Sequence, residues 1–240
     1  MSILGKYVEQ ANNPSDINEH LPTLREYANQ CETILELGVR GCVSSWAFAQ
    51  GLLENGKQTK HLFCNDLTPC DIKDLIAKCR TNGIDIKYKW CSDLDPAFQP
   101  GTFDLIFIDT LHVYGQLKRE LTKFAPLSRK YIVLHDTTSD GIKGEAIRLG
   151  MNVNELSKQT KIPQNEITKG LWPAVTEFVQ QNPEWTVHKR YTNNNGLTIL
   201  KRINPLVNNS SVPNGSHPTR CSICLLAVLF LFLWVIFSKP

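Results

Sequence analysis

The chain has 240 residues, enough for one domain of ordinary size and further segments. Lysine and arginine exceed aspartate and glutamate by 3, and no basic run is present, so we expect no nucleic-acid partner. The 8 cysteines are scattered through apolar patterns, and the Cys-x-x-Cys pair at Cys221 and Cys224 has no second pair to complete a zinc site. Scattered thiols of this kind indicate a reducing compartment.

Strand-like and helix-like patterns alternate from about Ser15 to Arg202. The predicted strands cover residues 33–37, 61–65, 84–90, 103–108 and 131–134, and the predicted helices cover 44–55, 71–82 and 114–124. This alternation predicts a parallel sheet with helices on both faces. A polar, partly helical insertion at 139–170 is followed by a helix at 171–181 and strands at 185–191 and 196–201. The Asn-Gly turn between the last two strands predicts an antiparallel hairpin at the sheet edge.

The C-terminal segment has a different composition. Residues 204–220 are rich in Asn, Ser and Pro, which predicts a disordered linker after a domain at 1–203. Residues 221–237 carry no charge and would span about 25 Å as a helix, against a bilayer core of about 30 Å. We expect a transmembrane tail anchor that leaves the catalytic domain in the cytosol. A buried core helix is the alternative, and the Asn-x-Ser sequons of the linker leave the reverse topology open.

The first predicted strand leads into a glycine turn, Glu36-x-Gly38-x-x-Gly41, and then into a helix that begins near Ser44. Such a turn lets a ligand approach bare backbone. Glu36 would repel a phosphate and favour a cationic or hydroxyl-bearing ligand. It also occupies the first glycine position of the dinucleotide-binding pattern Gly-x-Gly-x-x-Gly, which argues against a nicotinamide cofactor.

The chain resembles the class I S-adenosylmethionine-dependent methyltransferases. The resemblance rests on Glu36-x-Gly38-x-x-Gly41, on Asp66 at the end of the second strand, and on the terminal hairpin. It implies an α/β, Rossmann-like, doubly wound sheet of seven strands whose last strand is antiparallel, with S-adenosyl-L-methionine as cofactor.

We predict that Glu36, Gly38, Gly41, Ser44, Asp66 and Asp93 bind this cofactor. The two glycines would let its methionine part lie on the backbone. Asp66 would accept from the ribose hydroxyls, and Asp93, after the third strand, would accept from the adenine amino group. The open alternatives are a helix cap or turn for Asp66 and simple turn chemistry for Asp93.

Two later strands carry acids and imidazoles at their ends, namely Asp109 with His112 and His135 with Asp136. Adjacent strand ends lie ~5 Å apart, so the two carboxylates could share one cation. Oxygen ligands with one imidazole suit Mg²⁺ or Mn²⁺. We predict Asp109, His135 and Asp136 as metal ligands, and His112 as the general base for a substrate hydroxyl. A helix-capping Asp109 and an ordinary buried His135 are the alternatives.

Four motifs in order narrow the resemblance to the metal-dependent sugar and natural-product O-methyltransferases. They are Ile108-Asp-x-x-His112, Leu134-His-Asp-Thr137, Gly170-Leu-Trp-Pro-Ala-Val175 and Asn194-Asn-Gly-Leu-Thr198. The group includes rhamnosyl and macrolide-sugar O-methyltransferases and the cephalosporin-hydroxylase-like proteins. It implies that Asp109 and His112 are catalytic. These relatives often have a second acid at the position of His135. The sequence therefore also allows a weaker or softer metal site, or a site with only two carboxylate ligands.

The sequence therefore predicts a membrane-anchored, metal-assisted O-methyltransferase acting on a hydroxyl of a sugar, a glycan or a glycosylated small molecule. The insertion at 139–170 and Trp172 would cover this substrate, with core packing as the alternative for Trp172. A metal-independent methyltransferase of the same fold and a non-catalytic membrane-bound scaffold are the alternatives for the whole chain. The oligomeric state is left open.

Overall fold

A computed structural model describes residues 1–204 as one seven-stranded sheet with helices on both faces. The strands are β1 Thr33–Leu37, β2 His61–Asp66, β3 Asp85–Trp90, β4 Phe103–Ile108, β5 Ser128–His135, β6 Trp185–Tyr191 and β7 Leu197–Arg202. The helices are α1 Ile3–Asn12, α2 Leu21–Ala28, α3 Val43–Glu54, α4 Lys73–Thr81, α5 Tyr114–Phe124, α6 Glu145–Arg148, α7 Val153–Thr160, α8 Gln164–Ile167 and α9 Leu171–Gln181. Every strand and helix predicted within residues 33–201 is present.

The strand order is β3-β2-β1-β4-β5-β7-β6. The first five strands pair in parallel, and β7 pairs antiparallel with both β5 and β6. The reversed last strand confirms the predicted sheet. The sheet begins at β1 and extends on one side through β2 to β3. The chain then crosses back, and β4 pairs with the other side of β1. Ligands of open α/β sheets bind at the carboxyl ends of the strands that flank such a reversal.

Each face of the sheet has its own core because successive strand side chains point to opposite sides. Along β1, Ile34 packs in the core under α2 and α3, whereas Leu35 packs in the core under α5 and α9. Strand β4 is buried along its whole length, as expected for a strand covered on both faces. The central strands are thereby held rigidly, and their ends form a fixed platform.

A helix precedes the strand–helix alternation that the sequence predicts from about Ser15. Helix α1 is capped by Ser2, whose hydroxyl accepts from the Gly5 N–H at 3.1 Å, and it buries Ile3 and Tyr7. Only two of its ten residues are buried, so its apolar stripe is too narrow to stand out in the sequence.

The segment between α1 and α2 is joined to the hairpin that connects β6 and β7. The imidazole Nε2 of His20 lies 3.0 Å from the Asn193 carbonyl and 3.1 Å from the Asn194 carbonyl. The Asn194 side chain donates to the Ser15 carbonyl at 2.8 Å and accepts from the Glu19 N–H at 3.1 Å. Two parts of the chain more than 170 residues apart are therefore fastened above the carboxyl end of β5.

Within residues 1–204 no helix is both long and apolar enough to cross a bilayer. The predicted anchor at 221–237, and the predicted linker after Asn204, lie outside the described residues. The tail anchor stays a prediction from sequence.

Gly38 follows β1 and lies directly against the end of β4. Its φ is 91°, and a Cβ built on it would lie 1.9 Å from the Asp109 carbonyl oxygen. The Asp109 N–H also donates to the Leu37 carbonyl at 2.9 Å. The glycine turn and Asp109 are therefore held in contact by backbone alone.

We expect Gly38→Ala to destabilise the protein more than Gly83→Ala. Gly83 also has a positive φ, 73°, but an added Cβ there meets nothing within 4 Å, so the change should cost about 1–2 kcal/mol. Gly38→Ala adds an overpacking cost of about 1–3 kcal/mol because the Asp109 backbone must move. Denaturant unfolding of both variants measures the difference. Equal losses of unfolding free energy would show that the close contact does not constrain the turn.

Candidate functional site

A cleft of about 990 Å³ opens at the carboxyl ends of the strands beside the β1–β4 reversal. Eight predicted site residues line it: Gly38, Gly41, Ser44, Asp66, Asp93, Asp109, His112 and Asp136. The insertion at 139–170 forms the opposite wall through Glu145, Arg148, Leu149, Leu156, Gln159 and Thr160. Glu36 and His135 are buried and do not line the cleft.

The glycine turn presents open space at its tip. A Cβ built on Gly41 would meet only the Val43 side chain, at 4.0 Å, and Gly41 lines the cleft. The turn continues into the first residues of α3, whose backbone N–H groups are unpaired within the helix. A ligand could therefore lie on the backbone around Gly41, as the sequence predicts.

Glu36 lies beneath the turn, so its direct contact with the cofactor is not supported. Its carboxylate accepts from the Ser44 hydroxyl at 2.5 Å and from the Ser45 hydroxyl at 2.7 Å. Burial raises the pKa of Glu36 to about 7, against the opposing effect of those hydrogen bonds. Glu36 thus fastens the first turn of α3 to β1. The Ser44 hydroxyl, which we predicted to face the cofactor, is engaged by this carboxylate.

Asp66 braces the glycine turn from the neighbouring strand. One carboxylate oxygen accepts from the N–H groups of Val39 and Arg40, each at 2.9 Å. The other accepts from the N–H and hydroxyl of Thr68 at 2.9 and 3.0 Å. Burial would raise the pKa of Asp66, but these donors outweigh it and lower the pKa. A carboxylate has about four acceptor positions, so a ribose could bond to Asp66 only by displacing one of these donors.

Asp93 lines the cleft and carries a buried carboxylate oxygen. Its Oδ2 is buried and has no hydrogen-bond partner among the described residues, while Gln116 approaches Oδ1 at 3.4 Å. The same Gln116 nitrogen donates to Glu120 at 2.7 Å. Burial raises the pKa of both carboxyls, and the charge of Asp93 raises that of Glu120 further. An amino donor from the ligand would satisfy Asp93 Oδ2, which is consistent with the predicted adenine contact.

The two predicted acid–imidazole pairs converge. His112 Nε2 lies 3.0 Å from Asp109 Oδ1 and 3.4 Å from Asp136 Oδ2. His135 Nδ1 lies 3.4 Å from Asp109 and 3.0 Å from Asp136. Burial disfavours every charge here, but the opposite charges and hydrogen bonds prevail. They lower the pKa of both carboxyls, raise that of His112 and raise that of His135 to about 10.

Two further acids, which the sequence did not single out, reach His112 from the insertion. Its Nδ1 is buried without a hydrogen-bond partner and lies 3.5 Å from Asp140 and 3.5 Å from Glu145. The Glu145 N–H donates to the His112 carbonyl at 2.9 Å, and the His112 N–H donates to Glu145 Oε2 at 3.2 Å. Asp140 accepts two hydrogen bonds from Arg148, at 2.6 and 2.8 Å. The insertion is therefore built onto the acid–imidazole cluster.

Asp136 holds an unusual backbone conformation at the centre of this cluster. Its φ is 56°, in the left-handed region that few residues other than glycine adopt. The Asp140 N–H donates to its carbonyl at 3.0 Å, and the Ser139 hydroxyl donates to its carboxylate at 2.8 Å. These bonds hold the Asp136 carboxylate towards Asp109.

The donor set is compatible with a divalent cation. One ligand atom each from Asp109, His112 and Asp136 lie within 4.8 Å of one another. The group contains His112, whereas we predicted His135 as the imidazole ligand. His135 is almost wholly buried, and its Nε2 lies 3.3 Å from the Asn194 carbonyl. Two oxygens with one imidazole suit Mn²⁺ better than Mg²⁺, which prefers oxygen alone.

Trp172 does not line the cleft. The Arg190 guanidinium covers its ring at 3.9 Å from the centroid, and the indole packs against the core under α5 and α9. Core packing, the alternative weighed from the sequence, therefore replaces substrate stacking for this residue.

Comparison with known proteins agrees with the fold. Residues 35–137 match the family model described as a methyltransferase domain. No match was found among curated proteins.

Several solved structures share the fold. TomG, an O-methyltransferase from Streptomyces achromogenes involved in tomaymycin synthesis and bound to SAM, is 15% identical, with 82% of this chain and 89% of that chain covered and a TM-score of 0.52. Cofactor-bound Rv0187 from MTB is 15% identical, with coverage of 84% and 90% and a TM-score of 0.53. An O-methyltransferase family protein from Burkholderia thailandensis is 12% identical, with coverage of 79% and 56% and a TM-score of 0.52.

The match of residues 35–137 to a methyltransferase domain, together with the sheet order and the glycine turn, agrees with the class predicted from the sequence. At 12–15% sequence identity the solved structures establish the fold of this chain and do not identify its acceptor substrate.

The buried Glu36 should make stability depend on pH. Its folded pKa of about 7 lies above the ordinary 4.5, so the folded state holds the proton more tightly than the unfolded state. The associated stability is present below pH 4.5 and is lost as the pH rises through about 7. Relative to Glu36→Gln, the wild-type protein should lose about 3 kcal/mol between pH 4 and 8.

Chemical unfolding of both proteins at several pH values checks this expectation, because other titrating groups cancel in the difference. Glu26→Gln, at an exposed position of α2, is the matched control and should leave the pH profile unchanged. A difference between wild type and Glu36→Gln that stays constant with pH would contradict a neutral buried Glu36.

Proposed function

We propose that this protein transfers the methyl group of S-adenosyl-L-methionine to a hydroxyl oxygen with the help of a divalent metal ion. The observation that carries the proposal is the Asp109–His112–Asp136 group, which lines the same cleft as the glycine turn. TomG, which shares the fold, is an O-methyltransferase bound to this cofactor. The narrower sequence resemblance to sugar O-methyltransferases favours a sugar, a glycan or a glycosylated small molecule as the acceptor.

In the cofactor half of the cleft, the protein would bind S-adenosyl-L-methionine and orient its methyl group. The turn around Gly41 would receive the methionine part, and Asp93 Oδ2 would accept from the adenine amino group. Because Gly38 touches Asp109, the methyl donor and the acid–imidazole cluster have a fixed separation. Holding the hydroxyl in line with the sulfonium methyl supplies much of the rate enhancement of such a transfer.

In the acceptor half, Asp109, Asp136 and His112 would hold the metal. A bound divalent ion lowers the pKa of a coordinated hydroxyl and so makes the oxygen a better nucleophile. His112 Nε2 faces both carboxylates, so this nitrogen cannot bind a cation and accept a proton at once. The Glu145 carboxylate lines the cleft beside His112 and is a remaining proton acceptor.

A metal-free version of the same transfer is the second candidate. The 3.0 Å contact between His112 Nε2 and Asp109 favours it, because a carboxylate that orients an imidazole also stabilises the imidazolium form. In this version the raised pKa keeps His112 protonated, so the Glu145 carboxylate beside it would take the hydroxyl proton in place of His112, the base predicted from the sequence. The metal-assisted version requires a metal ion on His112 Nε2, and the metal-free version requires a proton there. A chelator should therefore stop the first reaction and leave the second unchanged.

We further propose that residues 221–237 anchor the enzyme in a membrane with residues 1–204 on the cytosolic side. The uncharged apolar sequence of that segment supports this location.

Cofactor binding is a direct test of the proposed function. The full-length protein should bind S-adenosyl-L-methionine in calorimetry, and Gly41→Ala should weaken binding roughly tenfold because the added methyl occupies ligand space. The thermal midpoint of this variant should stay close to the wild-type value, since the new Cβ meets no backbone. A folded wild-type protein that does not bind the cofactor would disprove the proposed function.

Another prediction concerns the metal. Chelator treatment and Asp109→Asn should each reduce methyl transfer at least about a hundredfold, with cofactor affinity largely unchanged. A labelled methyl donor, screened against sugars, nucleotide sugars and extracted glycolipids, provides the assay. Asp74→Asn, at an exposed position of α4, is the control variant and should retain activity. Full activity in chelator would favour the metal-free version, and cofactor binding without transfer to any acceptor would favour a non-catalytic scaffold.

A further inference from the structure

The insertion carries an exposed apolar surface. Its four large side chains are Ile142, Ile147, Leu149 and Met151, with exposed fractions of 74%, 41%, 52% and 42%. We call them the insertion patch. Hydrogen bonds from Leu149 N–H to the Glu145 carbonyl and from Met151 N–H to the Ala146 carbonyl, both 2.8 Å, fold this stretch into one compact turn. Four such side chains within residues 142–151 differ from the scattered single apolar residues that are normal on a protein surface.

The insertion patch adjoins the acceptor end of the cleft. Leu149 belongs to the patch and also lines the cleft. Glu145 and Arg148 of helix α6, which ends just before Leu149, also line the cleft. Whatever covers the patch would therefore lie at the entrance through which an acceptor arrives.

The insertion carries five basic residues, Lys143, Arg148, Lys158, Lys161 and Lys169, and four acids, Asp140, Glu145, Glu155 and Glu166. Arg148 pairs with Asp140 and Lys158 pairs with Glu155, so three exposed lysines, Lys143, Lys161 and Lys169, have no ion-pair partner among residues 1–204. An isolated β-bridge between Lys143 and Lys169 places two of these lysines side by side. Exposed apolar side chains among lysines are typical of a surface that lies in the interface of an anionic bilayer.

We propose that the insertion patch docks on an anionic membrane surface and turns the cleft entrance towards the lipid. Residues 205–220 separate the domain from the proposed anchor at 221–237 and can span at most about 55 Å, so the anchor alone would keep the domain near the bilayer without orienting it. Contact through the patch would supply that orientation. The inference deepens the proposed function: the acceptor hydroxyl would belong to a lipid headgroup or a lipid-linked sugar.

The test follows hydrogen–deuterium exchange of the full-length protein in nanodiscs. One nanodisc contains phosphatidylcholine alone, and the other also contains phosphatidylglycerol. Amides at 142–151 should exchange more slowly in the anionic nanodisc. Ile142→Ser combined with Ile147→Ser should abolish that protection, and Leu4→Ser combined with Val8→Ser, at exposed apolar positions of α1, should retain it.

Two results would overturn the docking proposal. Equal exchange in the two nanodiscs would show that the patch does not contact anionic lipid. Protection that appears in detergent and rises with protein concentration would show that a second copy of the chain covers the patch. Cofactor binding, measured on the same samples, tests the proposed function separately, since neither Ile142 nor Ile147 lines the cleft.

Discussion

The backbone contact between the glycine turn and the end of β4 is the constraint on which both halves of the cleft depend. Gly38 has no side chain because the Asp109 carbonyl occupies that space, and Leu37 binds the Asp109 N–H. The cofactor turn and the first acid of the cluster therefore belong to one rigid unit. Asp66 braces the turn from β2, and Glu36 fastens the helix that follows it. Residues that look like ligand contacts in the sequence thus support the backbone that would make those contacts.

The second half of the cleft is organised by charge. Four acids surround His112, and their charges are balanced by two imidazoles and by Arg148. Buried carboxylates this close are stable only with cations between them. A divalent metal and protonated imidazoles are two ways to meet the same requirement, and they compete for the same nitrogen of His112. This competition is why the metal-assisted and metal-free versions of the reaction can be separated by one reagent.

Most of the fold could be predicted because strand alternation and the glycine turn are local signals. The strand-end acids also converge as expected, since parallel strands bring their carboxyl ends to one edge. The roles of Glu36 and Asp66 could not be predicted, because they depend on which donors the folded backbone brings to each oxygen. Asp140 and Glu145 were missed because they follow no strand end and belong to no recognised motif, and only the folded insertion brings them to His112. Glu120 did leave a signal: it interrupts the apolar stripe of α5 formed by Leu117, Leu121 and Phe124.

The joining of His20 and His135 to the β6–β7 hairpin has a consequence for the order in which the protein acquires activity during synthesis. The cofactor turn and β4 are complete once about half of the domain has left the ribosome. His135 gains its carbonyl partner only when Asn194 has emerged, near the end of the described chain. A chain that ends before Asn194 would lack the carbonyl partner of His135 and one carbonyl partner of His20, and the acid–imidazole cluster would lose that support.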